Sequence, residues 1–84
     1  MSKKQIEKNF ELSEKLAVFL GDNPKKVKSV PEDSSFVVFS ATDKLLNKIN
    51  EKLIKSLKDQ GRIVIKAQET KKSESPWKFT PSLL

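Results

Sequence analysis

The sequence predicts an α/β (α+β) domain, two- or three-layered, in the order helix, strand, helix, strand. Three observations predict it. Residues 5–20 and 43–60 repeat apolar side chains at helical spacing. Residues 36–40 and 62–67 are short runs of β-branched and aromatic residues. The segment 36–67 places a helix between those two runs with tight connections, which makes a βαβ unit with a right-handed crossover and a short parallel sheet.

The first helix, QIEKNFELSEKLAVFL, gathers Ile6, Phe10, Leu12, Leu16, Ala17, Phe19 and Leu20 on one half of its circumference, with Glu7, Glu11, Glu14, Lys8 and Lys15 opposite. Asn9 and Ser13 interrupt the apolar arc; they bond backbone or each other at i, i+4, or make a polar contact across an interface. Gly21 is the expected stop. Asn23-Pro24 reads as an N-cap with proline at the first helical position of a short helix, ended by Pro31 and a polar turn at EDSS. FVVFS is apolar on both faces, with Phe36 and Val38 on one and Val37 and Phe39 on the other, so both faces should be covered. The long helix carries Leu45, Leu46, Ile49, Leu53 and Leu57 as its stripe. Ser40 is the expected cap with Asp43 closing a capping box, and Gly61 the expected terminator. RIVIKA is the second strand, with Ile63 and Ile65 on one face and Val64 on the other. The first helix must then cover what the long helix leaves bare.

Residues 1–67 are read as one compact domain and 68–84 as a linker and a flexible C-terminal apolar tail, because QETKKSES is polar while ESPWKFTPSLL holds the single tryptophan. Two parallel strands alone are marginal in water and leave both edges open. A second copy, the tail or another protein should complete the sheet, and the expected state is a homo-oligomer. Trp77, Phe79, Leu83 and Leu84 are the candidate partner-binding residues of the tail, bound in extended form or packed back on the fold. Pro76 and Pro81 restrict strand pairing to 77–80, at an edge.

The 84 residues carry a net charge of +6, and of the 17 basic residues only Arg62 is arginine. Readers of nucleic acid favour arginine for its bidentate contacts, so this charge permits polyanion binding more than it specifies a reader. Lys44, Lys48, Lys52, Lys55 and Lys58 line one face of the long helix and form the candidate polyanion face, with Glu51 and Asp59 among them and no aromatic residue to stack a base.

With no histidine and no cysteine, a histidine-based triad, a thiol nucleophile, a disulfide and the usual zinc sites are excluded. No cofactor, metal or catalytic residue is expected. The one candidate anion site is Ser40 and Thr42, where a strand end meets a helix N-terminus; plain capping is the simpler reading, since Asp43 already complements the helix dipole. MSKKQIEKNF lacks a signal peptide's apolar run, AVFL and FVVF are too short to span a bilayer, and the absence of cysteine fits a cytoplasmic protein.

Over residues 5–67 the chain resembles a small uncharacterised prokaryotic α/β family of the domain-of-unknown-function kind. The likeness rests on the K-N-F-E-L run from Lys8 to Leu12, on Asn23-Pro24 and the short helix to Val30, on the turn at Pro31, and on the strand, long helix and strand through Ala67. The resemblance implies the fold and no activity. The chain departs from the family after the first strand, where SATDKLL replaces an acidic run with proline. The sequence thus leads to a non-catalytic protein-interaction or accessory module that self-associates; the alternative is a basic, nucleic-acid-associated or antitoxin-like regulator.

Overall fold

A computed structural model describes residues 2–28, 30, 31 and 33–81. Its elements are α1 (Lys3–Asp22), α2 (Pro24–Val27), β1 (Ser35–Phe39), α3 (Lys44–Asp59), β2 (Val64–Glu69) and β3 (Trp77–Pro81).

Local chemistry sets each boundary. Ser2 starts α1 through a capping box: its hydroxyl accepts the Gln5 N–H at 3.2 Å, and the Gln5 side chain accepts the Ser2 N–H at 2.9 Å. The helix runs through Gly21, the expected stop, and is closed by Asn23, whose Nδ2 donates to the Phe19 carbonyl at 2.8 Å. Asn23 therefore ends α1 with its side chain and makes no side-chain cap on α2, while Pro24 does take the first position of α2. At α3 the cap is Asp43, whose carboxylate accepts the Leu46 N–H at 3.0 Å; Ser40 sits one turn earlier and bonds the loop instead. Gly61 ends α3 as expected. At φ 77° it adopts the left-handed conformation, and the Gly61 and Arg62 N–H groups return to Lys58 and Leu57 carbonyls.

β1 and β2 pair in parallel, Val38 beside Ala67, as the βαβ reading requires. β2 begins at Val64 and runs to Glu69, past the expected boundary at 67. Residues 77–81 then return as β3, antiparallel to β2 with Phe79 beside Ala67, so the sheet is mixed in the order β1-β2-β3. The alternation in WKFT explains this: Trp77 and Phe79 project to one face, Lys78 and Thr80 to the other. Thr70 closes the intervening loop; its N–H donates to the Pro76 carbonyl at 2.8 Å and its hydroxyl to the Ser75 carbonyl.

Each face of β1 is covered by a different helix. Leu12 and Leu16 of α1 pack with Val38, Ala67, Trp77 and Leu46, with Phe19, Leu20, Phe36 and Phe79 around them. Ile54 and Leu57 of α3 pack on the opposite face with Val37, Phe39 and Val64. Leu46 and Ile54 thus belong to different clusters, because α3 straddles the free edge of β1.

Candidate interaction surface

At that free edge the two helices meet. Asn50, 1% exposed, lies on α3 between Leu46 and Ile54. Its Nδ2 donates to the Val38 carbonyl at 2.8 Å and to Asn9 Oδ1 of α1 at 2.8 Å, while Asn9 Nδ2 donates back to Asn50 Oδ1 at 3.4 Å. The buried amide ties both helices to the edge strand. Asn9 finds its partner 41 residues away, and Ser13 stays exposed.

This junction decides which apolar residues point outward. Going round α3, Ile54 faces one cluster, Asn50 the edge and Leu46 the cluster shared with α1; the next positions in that sense are Leu53, Ile49 and Leu45. Going round α1, Phe19 faces Phe79 of β3 (ring centroids 6.3 Å apart) and Asn9 faces α3; the next positions are Ile6, Ala17 and Phe10. Both continuations start from the Asn9–Asn50 junction, where the two helices meet, and lead outward from it. Phe10 is 67% exposed and Leu45 62%, with Ile6 and Leu53 also exposed and Ile49 half-buried. The expected core stripe of α3 is thereby corrected: Leu46 and Leu57 turn inward, Asn50 and Ile54 join them, and Leu45 and Leu53 face out. In α1, Leu12 and Leu16 are buried while Ile6, Phe10 and Ala17 are not.

The rims of this surface differ in charge. Past Phe10 on α1 come Lys3 and then Glu14 and Glu7; past Leu45 on α3 come Lys52, Lys48 and Lys55, with Asp59 at the C-terminal end. Lys44, Lys48, Lys52 and Lys55 are exposed and Lys58 half-buried, so the lysine face exists as read and borders the apolar strip directly.

The other expected site residues lie elsewhere. Trp77 is only 7% exposed, built into the core against α1. Phe79 is half-buried and packs edge-on against Phe36, centroids 5.9 Å apart. Leu83 and Leu84 lie outside the described residues. The tail's aromatic residues therefore act as a strand of the fold, because β2 offered an open edge and the sheet an uncovered apolar face. Ser40 is buried and Thr42 exposed, and the N–H groups around them are already bonded. The Ser40 hydroxyl accepts the Thr42 and Asp43 N–H groups at 3.1 and 3.0 Å, Asn47 Oδ1 accepts the Ser40 N–H at 2.7 Å, and Glu69 Oε1 accepts the Ala41 N–H at 3.1 Å. An incoming anion would have to displace the Glu69 carboxylate, whose other oxygen lies 3.6 Å from Lys15 Nζ. The cluster is a structural bond network joining β1, α3 and β2.

Among the described residues no group of three or more acidic side chains is placed to hold a metal ion, and no helix is long and apolar enough to cross a membrane. A surface depression of about 580 Å³ is open and lies between the end of α1 and the approach to β1, lined by Leu20, Pro24, Lys28, Pro31 and Phe36 among others. Compared with known proteins, the chain matches no family model, no curated protein and no solved structure.

The sequence allowed for apolar residues of α1 left exposed, but it missed the outer side of α3 because it took Leu45, Leu46, Ile49, Leu53 and Leu57 as one stripe. The available signal was Asn50. A polar residue spaced four from both Leu46 and Ile54 marks the centre of the buried arc as the place where a backbone group needs an amide.

Proposed function

We propose that this chain is a non-catalytic interaction module that binds protein through the outer α1–α3 surface. The observation that carries this is the apolar side chains turned outward on α1 and α3, which the Asn9–Asn50 junction joins: Ile6, Phe10, Leu45 and Leu53 are exposed and Ile49 half-buried, led by a phenylalanine two-thirds exposed. A single exposed apolar side chain needs no explanation; five on two joined helices, with charged residues beside them, have the composition of an interface. Covering Phe10 or Leu45 contributes about 1.5–3 kcal/mol each. The absence of histidine and cysteine and the closed bond network at Ser40 support a non-catalytic reading.

The test is a photo-crosslinking amino acid in place of Phe10, with the full chain expressed in its native cells. An adduct between this chain and a protein is expected; irradiation that yields no protein adduct sinks the reading. The lysine face supports a second reading, polyanion binding by α3, because Lys44, Lys48, Lys52 and Lys55 are all exposed along one side. That reading requires binding to nucleic acid that falls steeply with salt.

A further inference from the structure

We infer that the occupant of the α1–α3 surface is a second copy of this chain, related by a two-fold axis that lays α1 of one protomer along α3 of the other. The inference rests on the interaction reading above and names its partner.

Charge complementarity carries it. The strip has an acidic border on α1, at Glu7 and Glu14, and a basic border on α3, at Lys48 and Lys52, and all four side chains are exposed. A two-fold interface brings a patch against itself, so a residue on α1 meets α3 of the partner and the reciprocal contact is made at once. That rotation sets each acidic border against the partner's basic border on both sides of the seam. Phe10 is brought over the partner's Leu45, Ile49 and Leu53, which places the apolar residues in the centre and the charges at the rim. The basic excess of the chain does not oppose this pairing, because the basic border on each copy faces acid. Lys3 and Asp59 are the two charges on these borders with the opposite sign, and each lies near the end of its helix, away from the centre of the seam.

This arrangement does not use the sheet edges: β3 already takes up the second edge of β2, and Asn50 bonds the Val38 carbonyl at the edge of β1. The expected self-association is thus reached through helices and not through strand edges.

The test is sedimentation of the purified full chain over a concentration series, with three variants. The unsubstituted chain is expected to sediment at twice the mass of one chain. Phe10→Glu is expected to lower the association constant at least about a hundredfold. Two charge reversals, Glu7→Lys with Glu14→Lys in one chain and Lys48→Glu with Lys52→Glu in another, are each expected to weaken self-association about tenfold or more. Mixed together, these two chains are expected to form a heterodimer, because the reversed α1 then meets the reversed α3 while the two unaltered borders meet each other. Trp77 emission in each variant reports that the core is intact, and the rescue on mixing excludes misfolding as the cause. A monomeric unsubstituted chain at every concentration overturns the inference, as does a dimer indifferent to Phe10→Glu, or charge reversals that fail to rescue each other. A monomer in vitro whose residue 10 crosslinks to a different protein in cells overturns the second copy and leaves the interaction reading standing. A monomer with no crosslink at all removes both.

Discussion

Asn50 shows how much one side chain can fix. Its amide joins three elements, bonding the Val38 carbonyl of β1 and both polar atoms of the Asn9 side chain of α1 from its own place on α3. Asn50→Ala leaves the Val38 carbonyl and the Asn9 amide without these partners, and we expect a loss of about 1–3 kcal/mol in urea unfolding. Asn9→Ala should cost less, since Asn50 keeps its bond to Val38. The double variant should show a coupling energy of about 0.5–3 kcal/mol in a mutant cycle; strictly additive losses would mean the two amides act independently. At Phe10 the expectation has the opposite sense. Phe10→Ser removes no core packing, so the stability of the monomer should stay within about 0.5 kcal/mol by the same urea measurement at low protein concentration.

The elements divide into those legible in the sequence and one that was not. Both long helices, both parallel strands and the terminator at Gly61 follow from periodicity and turn chemistry, which act over a few residues. The third strand escaped because WKFT is too short and too closely bracketed by prolines to declare itself. Its pairing depends on β2, which lies across a polar loop, and only tertiary contact reveals that Trp77 and Phe79 share a face with Ala67. The same limit applies to α3. Its helical period is clear, but the centre of its buried arc is set by the edge of β1, a fact of the assembled fold. The candidate site moved accordingly, from the tail to the outer strip, while the lysines kept the positions read for them. Two predictions belong here. Trp77 should emit at short wavelength and resist a neutral quencher. Trp77→Ala should cost about 3–5 kcal/mol, enough to abolish a cooperative thermal transition in a domain this small. A long-wavelength, freely quenched signal would place β3 off the sheet.

At the scale of the molecule, a core divided between two faces of a narrow sheet is small, and the outer strip adds apolar area that only association can bury. Stability should therefore depend on protein concentration, because any partner that binds the native state alone raises its population. The thermal midpoint of the unsubstituted chain should rise on concentrating it, and that of Phe10→Glu should not. Added salt should lower the midpoint of the associated form by screening the rim pairs. A midpoint independent of concentration would speak against association in the native state.

β3 is held by its ladder with β2 and by two aromatic anchors, and each of residues 71–75 before it is exposed. That makes it a removable part. Proteolytic cleavage within 71–75 should leave two pieces that stay together through gel filtration, with the fluorescent fragment in the same peak as the remainder. Separated by denaturant and remixed, they should reassemble, and a synthetic peptide spanning the strand should compete for the vacated groove. The fold is in this sense a receptor that carries its own ligand, and the affinity of that peptide would measure directly what the third strand contributes.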